Sequence, residues 1–117
     1  MPVKIYHNPR CSKSRQTLSI LQEHGLQPQI IEYLQHPPSK AQLKQILSLL
    51  GMQPRDLMRK KEPEYKQYQL DDPQLNDEQL IEAMIQHPNL LERPIVVSGG
   101  KAVLGRPPEN VLGILSD

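Results

Sequence analysis

A chain of 117 residues is long enough to bury a core and too short for a catalytic domain plus a separate partner-binding domain, so residues 1–117 are expected to form a single domain. Its 14 Lys and Arg against 13 Asp and Glu leave a net charge of +1, which points to neither nucleic acid nor a membrane surface; an anion site has to come from local basic clusters. Four Tyr without Trp or Phe exclude the aromatic platform of single-strand binders, no apolar run nears the roughly 20 residues of a membrane span, and a lone cysteine excludes an intrachain disulfide.

In chain order, Val3-Lys4-Ile5-Tyr6 alternates like a short strand and is stopped by Asn8-Pro9. Ser12 or Ser14 is placed to cap the helix that follows, Thr17, Leu18 and Leu21 give it an apolar face, and Gly25 suits its left-handed stop. Gln29-Ile30-Ile31-Glu32-Tyr33 reads as a second strand whose β-branched pair favours a buried sheet position. Ser39 and Gln42 fit a capping box before Leu43, Ile46, Leu47 and Leu50, and Gly51 ends that helix. Pro54 opens a short helix with Leu57 and Met58, and the polar stretch Arg59 to Tyr65 reads as a surface loop.

Asn76 caps a further helix with Leu80, Ile81, Met84 and Ile85 on its inner side. Ile95-Val96-Val97, the turn Ser98-Gly99-Gly100 and Lys101-Ala102-Val103-Leu104 form a hairpin. Pro107-Pro108 then opens a last helix with Val111, Leu112, Ile114 and Leu115 as its apolar face. The predicted order is βαβ followed by ββα, an α/β fold with a mixed four-stranded sheet, a helical insertion between the second and third strands, and helices over both faces.

Cys11 sits between the first strand and the first helix, inside His7-Asn8-Pro9-Arg10-Cys11-Ser12-Lys13-Ser14-Arg15. Unpaired amides at a helix start and nearby basic groups favour a thiolate there. Cys-x-x-Ser leaves that sulfur without an internal resolving partner, because Ser14 stands where a redox pair needs its second cysteine. Arg93 and Arg106 each adjoin a proline at a boundary of the hairpin, a placement that brings them near each other and near Cys11. Arg15 opposes the dipole of its own helix, which points to a contact with Glu62, Glu64 or a substrate. His24, His36 and His87 lack metal-ligand spacing, so no metal site is expected, and Gly99-Gly100 fits a hairpin turn rather than a phosphate loop.

A cysteine at this point of a βαβ-ββα order is the layout of the thioredoxin fold. His7-Asn8-Pro9-x-Cys11, Ser14-Arg15, Leu57-Met58-Arg59-Lys60 before Glu62-Pro63, Arg93-Pro94-Ile95-Val96-Val97 and Gly105-Arg106-Pro107 closely resemble the glutaredoxin-dependent arsenate reductase family over essentially the whole chain. The resemblance implies Cys11 as the nucleophile toward arsenate, Arg59, Arg93 and Arg106 as oxyanion ligands, His7 as an aid to thiolate formation, and Pro94 as a cis proline facing the cysteine. Glutathione as co-substrate and glutaredoxin as partner are implied in the same way, with no bound cofactor.

Guanidinium groups suit the task, since their planar forks bind oxyanions bidentately. The N-terminus Met1-Pro2-Val3-Lys4 lacks the apolar core of a secretory signal, so the expectation is a monomer in a reducing cytoplasm, without nucleic acid or membrane partners.

The chain departs from the family pattern at Ser12-Lys13, where members acting on arsenate commonly carry Gly-Thr. Ser12 restricts the backbone where an anion approaches, and Lys13 adds a charge. Two alternatives stand beside arsenate reduction: a monothiol reductase of another oxyanion or of glutathione mixed disulfides, and a non-enzymatic regulator of the same fold. Regulators of that kind use a Cys-x-x-Cys switch, which Ser14 removes.

Overall fold

The alternating apolar residues of Val3–His7 build β1, an inner strand of a four-stranded sheet ordered β2-β1-β3-β4 in the computed structural model, which describes residues 2–115. β1 runs parallel to β2 (Gln29–Glu32), with Ile5 opposite Ile30, and antiparallel to β3 (Ile95–Ser98), with Ile5 opposite Val96. β3 returns through Gly99-Gly100 into β4 (Lys101–Leu104), and Gly99 takes the positive φ of 59° that the tight turn requires. Ser98 is not part of the turn: it pairs with Lys101 as the last rung of the ladder.

The chain divides into two compact units, one from Met1–His36 with Arg93–Asp117 and one from Pro37–Glu92. The second unit is the helical insertion expected between the second and third strands. In the first unit, α1 (Ser12–Glu23) buries Ser14, Thr17 and Leu21 along one stripe. Val3, Ile5, Leu21, Val96, Val111 and Ile114 form its core, with Leu18, Ile20, Leu26, Val103 and Leu115 packed against it.

Further details of the first unit depart from what the sequence predicts. The N-cap of α1 is Cys11, with extended backbone (φ −96°, ψ 123°), and neither Ser12 nor Ser14 occupies it. Ser14 is fully buried, and its hydroxyl serves His7 and the Asn8 amide instead. β2 is an edge strand with one ladder partner, so Ile30 is 48% exposed rather than buried, and Tyr33 just beyond the strand is the residue that packs inside. The closing segment Pro108–Ile114 is a 3-10 helix, whose three-residue period puts Pro108, Val111 and Ile114 on the inner face and leaves Leu112 42% exposed.

In the second unit, Ser39 and Gln42 make the expected capping box at the start of α2 (Lys40–Leu50), and Gly51 ends it at φ 67°. A 3-10 turn follows at Pro54–Leu57. The stretch read as a loop from Arg59 to Tyr65 is a turn only as far as Glu62, because Pro63 supplies a preset first-turn φ and nucleates the short α3 (Pro63–Gln67). Asn76 and Gln79 form a second capping box for α4 (Asp77–Gln86), which packs on α2 while Lys40 and Lys44 pair with Glu78 across the two helices. No helix among the described residues is long and apolar enough to cross a membrane.

Candidate active site

β1 ends at the buried His7, and Asn8 closes the turn that carries the chain into α1. The Cys11 amide donates to the Asn8 carbonyl at 3.0 Å, and the Arg10 amide donates to Asn8 Oδ1 at 3.0 Å. The side chain of Asn8 therefore does the work of an extra backbone rung in a loop that has no strand to pair with. Beneath it, Ser14 Oγ accepts the Asn8 amide at 3.1 Å and lies 2.6 Å from His7 Nδ1. Arg15 folds back onto the same loop, its Nη1 donating to the Pro9 carbonyl at 3.0 Å.

Cys11 is half-buried and free. Burial pushes its thiol pKa up, but the Ser14 amide, the Arg93 guanidinium and the Lys13 amide outweigh that cost and leave it below the ordinary thiol value. His7 is pushed the other way from a free cation. Burial lowers its pKa, Arg15 lowers it further, and the opposing pull of Glu32, its partner across the β1–β2 ladder, does not restore it. The net shift favours the neutral imidazole beside the cysteine loop.

The second half of the site comes from the end of the hairpin. Arg93 precedes a cis proline, Pro94, as the resemblance implied, and Arg106 precedes a second cis proline, Pro107, which the sequence reading did not anticipate. Gly105 donates its amide to the Pro94 carbonyl at 3.0 Å, and Arg106 Nη1 donates to the Arg93 carbonyl at 3.1 Å. The two arginines are thus tied to one another, and the Arg93 guanidinium acts on the Cys11 sulfur.

Arg59 belongs to the second unit. Its amide donates to the Leu90 carbonyl at 2.7 Å, and its guanidinium meets Glu62 at 3.1 Å and Glu92 at 3.3 Å. The first unit therefore gathers His7, Cys11, Ser14, Arg15, Arg93, Pro94 and Arg106, while Arg59 is held by two carboxylates.

Three further residues shape the site without having been singled out. Asn8 and Gly105 stand in the sequence as motif members without a role of their own, Asn8 in the turn before Pro9 and Gly105 before Arg106-Pro107, and Thr17 only as part of an apolar face. A model of the ArsC family matches residues 6–114. The chain belongs to the ArsC family.

An arsenate reductase of Neisseria meningitidis serogroup A is 48% identical over 97% of this ArsC chain and 97% of its own length. The Escherichia coli K12 protein described as "Uncharacterized protein YfgD" is 55% identical over 97% of this chain and 96% of its own. The solved structure of an arsenate reductase from Vibrio cholerae superposes with a TM-score of 0.94 at 53% identity, covering 97% of this chain and 98% of that one. With these ArsC relatives the mixed sheet is the thioredoxin-like fold expected from the βαβ-ββα order.

As an ArsC-family site, the arrangement offers a nucleophilic sulfur beside fixed cationic donors. That combination suits attack on the electrophilic centre of an oxyanion. With one cysteine in the sequence, the chain has no second thiol with which to complete a redox cycle.

Proposed function

We propose that the chain reduces arsenate to arsenite through a covalent Cys11 adduct. The observation that carries this reading is the thiol of Cys11 held toward its anion by the Ser14 amide and the Arg93 guanidinium, with Arg106 tied to Arg93. Sulfur attacks arsenic and an arsenic-bound oxygen leaves as water, so the first step forms an S–As bond without changing the oxidation state. Taking arsenic from +5 to +3 requires two electrons. Glutathione and the glutaredoxin thiol supply them by becoming a mixed disulfide, and hydrolysis of the remaining S–As bond frees arsenite and Cys11.

Arg93 and Arg106 hold the oxyanion in this scheme, His7 and Ser14 set the cysteine loop, and Pro94 shapes the turn that presents Arg93. Arg59 enters as the third oxyanion ligand on the motif alone, since Glu62 and Glu92 hold its guanidinium. The reading calls for no bound cofactor and takes the chain to act as a monomer in a reducing cytoplasm.

The test is turnover of arsenate coupled to glutathione and glutaredoxin. Wild type is expected to turn over and Cys11→Ser is expected to be inert. No turnover by wild type, or equal turnover by the variant, overturns the proposal. Cleavage of glutathione mixed disulfides by a wild type inert toward arsenate would reassign the substrate.

A further inference from the structure

Gly105 lies where the arginine end of the hairpin meets α1. A Cβ built on it would collide with Thr17 Oγ1, stand 2.8 Å from Pro94 Cγ and 3.0 Å from Thr17 Cγ2. Its φ is not in the left-handed region, so the requirement for glycine here is one of space and not of backbone conformation.

Thr17 is fully buried on α1 and its hydroxyl donates to the Lys13 carbonyl at 2.8 Å, which pins the rotamer. The single hydroxyl proton is used there, so the Gly105 carbonyl at 3.5 Å is a packing neighbour rather than a second acceptor. On one side of this contact stands the helix that has Cys11 as its N-cap and provides the Lys13 and Ser14 amides. On the other side, Gly105 is bonded to Pro94 and Arg106 is bonded to Arg93. The hairpin end is therefore tied together where it packs against Thr17.

We propose that the Thr17–Gly105–Pro94 contact is the spacer that sets how far the Arg93–Arg106 pair stands from Cys11. Thr17 and Gly105 are then positioning residues, acting on the sulfur and the oxyanion through the arginines and touching neither. The inference rests on the function proposed above for the oxyanion, but its first readout does not. Packed interiors transmit a small overlap as a displacement, and electrostatic contacts to a thiolate weaken with every added fraction of an ångström.

The experiment is the pH dependence of Cys11 alkylation by iodoacetamide, with and without arsenate, alongside the melting temperature. For Gly105→Ala we expect the alkylation midpoint to move up by roughly half a unit to one unit. We expect the arsenate concentration giving half-protection to rise about ten-fold or more. Truncating the opposing side chain in Gly105→Ala/Thr17→Ala should move both readouts back toward wild type.

An unchanged midpoint in Gly105→Ala overturns the proposal, and so does a midpoint shift that the double variant fails to reverse while melting temperatures fall in step. If Gly105→Ala does not fold, Thr17→Val carries the test. Its methyl cannot approach the Lys13 carbonyl as the hydroxyl does and must press toward Gly105, so its midpoint should rise while Thr17→Ser holds the wild-type value. Equal midpoints in Thr17→Val, Thr17→Ser and wild type overturn the proposal. If arsenate fails to protect wild type, the oxyanion reading fails, and the alkylation midpoints still decide the spacer.

Discussion

The hydroxyl of Ser14 lies 2.6 Å from His7 Nδ1 and accepts the Asn8 amide at 3.1 Å, so one buried side chain ties the end of β1 to the first turn of α1 on either side of Cys11. The sulfur feels the Ser14 amide rather than this hydroxyl. Ser14 thus has separable duties, its side chain holding the loop and its backbone favouring the thiolate.

Ser14→Ala should consequently cost stability more than reactivity. It leaves the buried imidazole nitrogen and the Asn8 amide without their partner, a loss of about 1–3 kcal/mol by denaturant unfolding. The alkylation midpoint of Cys11 should move by much less than in Arg93→Ala. A large midpoint shift with unchanged stability would place the hydroxyl, and not the amide, in control of the sulfur.

The lowered pKa of Cys11 fixes the sign of a pH effect. Its folded-state value lies below its unfolded value, so the associated stability is fully present above the unfolded thiol pKa of about 8.5 and is lost as pH falls through the folded value. Wild type should gain stability relative to Cys11→Ser as pH rises across that window, and Arg93→Ala should narrow it. Parallel stability profiles for wild type and Cys11→Ser would show that the thiol is not depressed.

His7 predicts a loss on the acid side. Its folded pKa lies below the ordinary histidine value, so the unfolded chain takes up the proton first, and stability declines as pH falls below about 6.5 toward the folded value. A His7→Gln variant should show a flatter melting profile than wild type between about pH 7 and 5. Indistinguishable slopes would mean that burial does not hold the imidazole neutral.

Arg59 offers a contrast with Arg93. Its guanidinium and the two carboxylates it meets are each about one-quarter exposed, so Arg59→Ala leaves Glu62 and Glu92 partly buried without their counter-charge. The expected cost is about 1–2 kcal/mol, between the limits for exposed and buried pairs. Arsenate protection of Cys11 that stays at the wild-type level would remove Arg59 from the oxyanion ligands, and unchanged stability would show that the ion pairs do not support the fold.

The 3-10 geometry of Pro108–Ile114 separates neighbouring apolar residues. Val111→Ala removes fully buried methyls and should destabilise by about 2 kcal/mol, whereas exposed Leu112→Ala should stay within about 0.5 kcal/mol. Equal effects on urea unfolding would indicate an α-helical face, with Leu112 packed inside.

Local pattern was sufficient wherever one segment's own chemistry decides its structure. The capping box of Ser39 and Gln42, the left-handed stops at Gly25 and Gly51, the Gly99-Gly100 hairpin and the strand-to-helix setting of Cys11 all follow from residues close in sequence. The resemblance added Arg93, whose guanidinium acts on the Cys11 sulfur, and Pro94, whose peptide bond is cis.

What tertiary structure decided were questions of which neighbour a residue meets. Ile30 and Ile31 read as a buried strand, but burial depends on how many strands flank it, and β2 has one. A serine three residues into a helix reads as a possible cap until β1 brings His7 and the Asn8 amide to its hydroxyl. Gly105 carries no signal of its need for space until Thr17, 88 positions earlier, is packed against it. Local chemistry along the chain is enough to mark a thiolate-prone cysteine at the start of a helix in a βαβ-ββα order; long-range packing selects which side chains surround that sulfur, because such contacts have no periodicity along the chain.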